Sequence, residues 1–232
     1  MIIPAQNESP TIAAVVGAVR AATPDAYIVV VDDASTDDTA ALAAGAGADV
    51  LRHPCALGYA EAVVTGLTRA VELVSEVTVL LDADEQHDAR YIPELIETLQ
   101  RSGADMVIAS RDAAGGSDSR SWTGRIGNAI FAATVRAITG TWIRDTSSGF
   151  KVMKFDAVRA LLSSHFVDFH AESIVFLLAA RYQIVEHPVK MTPRRTGRSM
   201  HRWTSLFVYP LKTALIVLLN VLKGRVERGK NK

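Results

Sequence analysis

The sequence predicts an α/β fold, a Rossmann-like and mostly parallel central sheet with flanking helices, followed by a C-terminal amphipathic helical segment. Two observations predict it. Short apolar runs alternate with longer segments of helical period through the first half of the chain, as parallel strands joined by crossover helices require. One of these runs, Val77 to Leu81, is apolar at nearly every position, which marks a strand buried on both faces of a sheet. The division expected is residues 1–202 as one domain and 203–232 as the amphipathic appendage.

Met1 to Ile3 reads as a short first strand, and Pro10 to Ala22 as a helix with Ser9 at its N-cap and Pro10 in its first position. Tyr27 to Val31 is the second strand, ending in Asp32 and Asp33, and Asp37 to Ala46 a helix that Asp37 caps. Asp49 to Arg52 is a short strand, Tyr59 to Val74 a helix and Val77 to Leu81 the central strand. Asp88 caps a helix from Ala89 to Arg101, and Asp105 to Ala109 is the next strand. Arg111 to Arg125 is rich in Gly, Ser, Asp and Arg and reads as a loop. A helix over Ile126 to Ile138, a turn at Gly140, a strand over Gly149 to Met153, a helix over Ala171 to Arg181 and a strand over Ile184 to Val189 complete the domain. Thr192 to Arg202 is a second basic loop.

Lys and Arg together number 25 and so do Asp and Glu, so the balance gives no reason to expect a nucleic-acid partner. The imbalance is local: from Lys190 onward Glu227 is the only carboxylate. The single cysteine, Cys55, rules out an intrachain disulfide and reads as a packing residue in a reducing compartment. The start of the chain lacks a basic region followed by a long apolar one, so a cytoplasmic location is expected. Trp203 to Leu222 is apolar over nearly a bilayer's thickness, yet Pro210 and Lys212 interrupt it. A stripe of Phe207, Leu211, Leu215, Leu218 and Leu222, followed by Lys223, Arg225, Arg228, Lys230 and Lys232, favours helices lying in the interface of an anionic membrane. The alternative is a helix packed on the domain or on a second copy of the chain, a possible homo-oligomer.

The chemistry concentrates after the central strand, in Asp82, Asp84, Glu85, Gln86 and His87. The carboxyl edge of an open α/β sheet is where ligands bind. Two carboxylates this close repel each other unless a cation or donors offset the charge, and Asp82, Asp84 and the amide oxygen of Gln86 are hard oxygen ligands for a divalent ion that could carry a diphosphate. The first turn, Pro4-Ala5-Gln6-Asn7-Glu8, has no glycine-rich phosphate loop, which argues against a dinucleotide cofactor and a P-loop.

Five motifs taken together resemble the family 2 glycosyltransferases, closest to the dolichol-phosphate mannosyltransferase type. They are PAQNE at residues 4–8, DDASTD at 32–37, LGY at 57–59, DADEQH at 82–87 and DTSSGF at 145–150. The resemblance implies a GT-A fold and transfer of a sugar from a nucleotide diphosphate to a polyprenyl phosphate, with inversion at the anomeric carbon. GDP-mannose is the donor it favours, with UDP-glucose or UDP-N-acetylglucosamine, or a non-catalytic nucleotide-sugar-binding subunit recruited to the membrane, as alternatives. It implies Pro4, Asn7, Glu8, Asp32 and Asp33 around the nucleoside, with Asp82 and Ala83 at ribose and diphosphate. Asp82, Asp84 and Gln86 would hold Mg²⁺ or Mn²⁺. Gly58 would let the backbone pass the nucleotide, unless it is a plain helix-entry glycine. Arg111, with Arg125 or Arg120, is similar to the acceptor-phosphate residues, and Arg198 with Ser199 to a pair closing over the diphosphate. Glu172 matches a residue behind the acceptor site. The chain departs from the family pattern at Gln6, where an aromatic is usual, and at Glu85, where glycine is usual. His87 and His170 read equally as ligands or as capping and packing residues. The implied location is the cytoplasmic face of the cell membrane.

Overall fold

The computed structural model describes residues 1–111, 139–163 and 169–190, together with 129, 132–133 and 135–137. Seven strands form one sheet: β1 Ile2–Ala5, β2 Val29–Asp32, β3 Asp49–Arg52, β4 Val77–Leu80, β5 Met106–Ser110, β6 Lys151–Lys154 and β7 Ile184–Pro188. Their order is β3-β2-β1-β4-β6-β5-β7. β1, β2, β3 and β4 are mutually parallel, as are β5 and β7, whereas β6 runs antiparallel between β4 and β5. The chain winds outward from β1 through β2 to β3 and then returns to place β4 on the other side of β1. This reversal is the point in an open sheet where a crevice forms at the carboxyl edge, and the carboxyl ends of β1 and β4 flank it.

Alternation along the strands sends side chains to two separate cores. On one face Ile3, Val30, Val79, Leu81, Val107 and Val152 pack under helices α1 (Ile12–Ala22) and α4 (Ile92–Ser102). On the other, Ile2, Leu80, Met106, Ile108 and Met153 meet α3 (Tyr59–Glu72), α5 (Phe155–Leu162) and α6 (Phe169–Ala179). Helix α2 (Thr39–Gly45) lies beside β2 and β3. The apolar run around β4 is therefore buried from both sides, as expected, and its polar continuation falls at the crevice.

Local differences have physical causes. The first helix begins at Ile12 rather than Pro10, because the Glu8 carbonyl accepts the Thr11 and Ile12 N–H groups and Ser9 is drawn to α2, its N–H donating to Asp37. Helix α2 starts at Thr39 with Asp38 at its N-cap, and Asp37, one residue earlier, accepts the Thr39 N–H at 3.0 Å. Asp88 accepts the Arg90 N–H at 3.0 Å and starts a 3₁₀ turn, Ala89–Tyr91, that leads into α4. Helix α5 was not expected, although Phe155, Val158 and Leu161 have helical spacing. The loops at 112–125 and 192–202, the segment 203–232, and with them Arg120, Arg125, Arg198 and Ser199, lie outside the described residues.

Candidate active site

The carboxyl ends of β1, β2 and β4 share an unusual backbone. Asn7, Ala34 and Glu85 take φ of 55°, 56° and 61°, the left-handed region that side chains other than glycine disfavour. Such conformations persist only where the surroundings impose them, and they cluster at ligand sites. Glu85 stands where the family pattern has glycine, and its φ supplies the reason for that glycine.

The first turn is a scaffold for the second. Asn7 donates its N–H to Ser35 Oγ at 2.9 Å and accepts the Thr36 N–H at 2.9 Å, while the Glu8 N–H donates to Thr39 Oγ1 at 2.8 Å. Pro4 is buried in β1, Asn7 is exposed and Glu8 half-buried. Gln6 is exposed and donates to the Asp33 carbonyl at 2.9 Å, so it bridges the ends of β1 and β2.

Asp32 and Asp33 face the protein more than the nucleoside role implies. Asp32 is fully buried: Oδ1 accepts the Ser35 N–H at 3.2 Å, and Oδ2 lies 3.2 Å from Arg52 Nε without the alignment of a hydrogen bond. Asp33 Oδ1 accepts from the Leu57 N–H at 2.8 Å and meets His53 Nδ1 at 2.8 Å, while Oδ2 accepts the Gly58 N–H at 2.8 Å. Burial pushes the Asp33 pKa up, but the His53, Leu57 and Gly58 donors prevail and hold it below the ordinary carboxylate value. The far side of the His53 ring meets Thr65 Oγ1 at 2.9 Å, so the Asp33–His53–Thr65 chain joins β2 to α3. Sequence reasoning missed His53, whose signal is only its place directly after β3. Gly58 has φ 98° at the N-cap of α3, which settles its glycine requirement on conformational grounds.

This anchored loop delivers Tyr59, whose hydroxyl donates to Asp82 Oδ1 at 3.1 Å. The other side of Asp82 rests on Gly149, where a Cβ would overlap the carboxylate. The β4–β6 register aligns the two, since Leu80 pairs with Lys151. Asp84, 5% exposed, accepts the Gln86 N–H at 3.1 Å and the Gln86 amide Nε2–H at 2.5 Å. Of the three expected metal ligands, Asp84 and Gln86 are thus in contact, while Asp82 contacts Tyr59 and Gly149. Among the described residues no three His, Cys, Asp or Glu side chains converge as a cage. One carboxylate, one adjacent carboxylate and an amide fit a Mg²⁺ or Mn²⁺ ion that takes its remaining ligands from substrate phosphates and water. To hold such an ion, Gln86 would have to present its amide oxygen in place of the Nε2–H that it donates to Asp84.

Arg111 is not a free cation. Its Nε and Nη2 donate to the two oxygens of Asp145 at 2.8 and 3.0 Å, a forked pair, and Nη2 also donates to Ser147 Oγ at 2.8 Å. Asp145 is fully buried and needs a cation, which explains the pairing. Glu186 completes the segment by accepting the Arg144 and Asp145 N–H groups, each at 2.9 Å. Glu172 is buried in α6. A groove of about 530 Å³, lined by Asp105, Asp156, Arg159 and Tyr182, opens at the opposite edge of the sheet and shares none of these residues.

The family 2 glycosyl transferase model matches residues 1–162. The chain belongs to glycosyl transferase family 2. It is 32% identical over 204 residues to an uncharacterised glycosyltransferase of Mycobacterium tuberculosis, covering 86% of this chain and 87% of that one. It is 29% identical over 244 residues to the polyprenol monophosphomannose synthase of Mycolicibacterium smegmatis, covering 99% and 89%, and 29% identical over 215 residues to the undecaprenyl-phosphate mannosyltransferase of Micrococcus luteus, covering 85% of each. Among solved structures, glucosyl-3-phosphoglycerate synthase from M. tuberculosis in complex with Mn²⁺, UDP and phosphoglyceric acid superimposes with a TM-score of 0.72 at 19% identity, over 95% of this chain and 77% of that one. The family 2 chain is accordingly a glycosyltransferase with the GT-A fold, related to polyprenyl-phosphate mannosyltransferases.

Proposed function

We propose that this family 2 enzyme moves mannose from GDP-mannose onto a polyprenyl phosphate, with inversion, at the cytoplasmic face of the cell membrane. The observation that carries the reading is the Asp84–Gln86 pair at the carboxyl end of β4, beside Asp82 and at the sheet's switch point. Asp84 and Gln86 would hold Mg²⁺ or Mn²⁺, with Asp82 alongside, and the bound ion would offset the charge growing on the departing diphosphate. An acceptor phosphate oxygen attacks the anomeric carbon; the new C–O bond forms as the bond to the nucleoside diphosphate breaks, and the diphosphate leaves with the electron pair. A phosphate monoester has a second pKa of about 6, so it arrives ionised and needs no strong base. The chain's task is to hold two phosphorylated molecules together. Arg111 would face the acceptor phosphate with Arg125, and Arg198 with Ser199 would close over the diphosphate. Pro4, Asn7, Glu8 and the loop held by Asp33 and Gly58 would wall the nucleoside.

A UDP-sugar donor is the second reading, favoured by the UDP and UDP-glucose held by structural neighbours. The full chain with Mn²⁺ or Mg²⁺, offered GDP-mannose, UDP-glucose and UDP-N-acetylglucosamine with a short polyprenyl phosphate, should form lipid-linked mannose. Asp84→Ala should lower that turnover by roughly three orders of magnitude, the equivalent of several kcal/mol of lost charge stabilisation. Product from a UDP-sugar alone moves the assignment to the second reading. No product from any donor, with nucleotide binding retained, rejects polyprenyl-phosphate transfer.

A further inference from the structure

We propose that His87 is a positioning residue: its ring takes up the Asp82 backbone N–H and ties the turn that carries Asp82 to the 145–150 segment. The inference rests on the reading of Asp82, Asp84 and Gln86 as the metal and diphosphate end of the site.

The parallel ladder stops at Leu81, whose N–H still donates to the Ile2 carbonyl at 3.1 Å. One residue later the Asp82 N–H has left the ladder and donates to His87 Nδ1 at 3.0 Å. Only an unprotonated ring nitrogen accepts an N–H, so the proton of the neutral ring sits on Nε2. Nε2 lies 3.7 Å from Asp82 Oδ2, beyond a direct hydrogen bond. Asp82 Oδ1 is meanwhile held by the Tyr59 hydroxyl, and the carboxylate rests on Gly149.

His87 itself is buried and stacks on Phe150, with ring centroids 5.2 Å apart and planes 26° from parallel. Phe150 follows Gly149 directly, so the His87 ring and the Asp82 carboxylate lean on adjacent residues. A residue needed only to close the turn would require a single acceptor, which Asn or Ser provides. His87 adds an aromatic face for Phe150. The turn it closes carries Asp82, Asp84 and Glu85, with Glu85 in a left-handed conformation, so the turn needs a brace against charge repulsion as well as strain. Groups that orient a ligand in this way set metal affinity without touching the metal.

Two measurements on the full chain test this. Imidazole ¹⁵N spectra of the metal-free protein should show His87 protonated at Nε2 and bare at Nδ1; the opposite tautomer overturns the inference. His87→Leu should weaken Mn²⁺-dependent binding of GDP or UDP about 10- to 100-fold, as loss of an outer-sphere partner does, while metal-independent binding of GMP or UMP stays within about twofold. His87→Gln, which keeps an acceptor for the Asp82 N–H, should recover most of the loss. Wild-type affinity in His87→Leu overturns the inference. So does a parallel fall in diphosphate and monophosphate binding with a lower melting temperature and no recovery in His87→Gln, which is the mark of a packing residue. If wild-type protein shows no Mn²⁺-dependent binding of either diphosphate, the metal-site reading itself falls and takes this role with it.

Discussion

Asp33 shows how a residue can be legible in kind and illegible in contact. A carboxylate at the end of the second strand suggested a ligand for nucleoside hydroxyls, yet three of its lone pairs serve His53, Leu57 and Gly58. Its pKa is lowered in the fold, so its contribution to stability is complete above the unfolded carboxylate value of about 4 and is lost as pH falls through the folded value. Asp33→Asn sets an amide N–H against the Gly58 or Leu57 donor and should cost about 1–3 kcal/mol at pH 7. In urea unfolding, wild type should then lose more stability than Asp33→Asn between pH 7 and pH 3; equal losses would show that these donors do not hold the carboxylate. The helix-start contacts of Asp37 and Asp88 were readable because their partners lie two residues away, whereas the His53 ring comes from 20 residues beyond Asp33. Glu85 was readable as a departure from pattern, but its positive φ was not.

At the scale of elements, all seven strands were anticipated within a few residues, because burial in a sheet leaves a clear apolar run. Helix α5 was missed: it is short and directly follows β6, whose Lys151 is buried despite its charge and blurs the pattern. The direction of β6 was equally hidden, since antiparallel and parallel strands share the same period. Helix α3 sets the height of the Leu57-Gly58-Tyr59 loop over the crevice by packing on β1, and Gly66 lets it approach until Ile2 fills the space a Cβ would take. Gly66→Ala should therefore destabilise the protein by about 1–3 kcal/mol in thermal or urea unfolding. A cost well under 1 kcal/mol would mean that Ile2 rotates aside and the helix position is not set here.

For the whole molecule, the described residues include no helix long and apolar enough to cross a membrane. The membrane contact is proposed for residues 203–232 on their apolar stripe and five following cations. Each cation near an anionic surface contributes about 1 kcal/mol, so removing the segment should weaken binding to anionic vesicles at least about 100-fold in co-sedimentation. Undiminished binding would place the membrane contact within residues 1–202. What the amino-acid order determined by itself is local: which runs are strands, which acidic residues cap helices, and that carboxylates crowd the end of a doubly buried strand. Those follow from periodicity and from contacts a few residues apart. Only tertiary structure decided that Asp145 takes up most of Arg111, that His53 and Tyr59 bind the loop to two different aspartates, and that Gly149 and Phe150 brace Asp82 and His87. These pairings join residues distant in the chain, and the strand order that brings them together is fixed by packing two cores at once, which no single segment encodes.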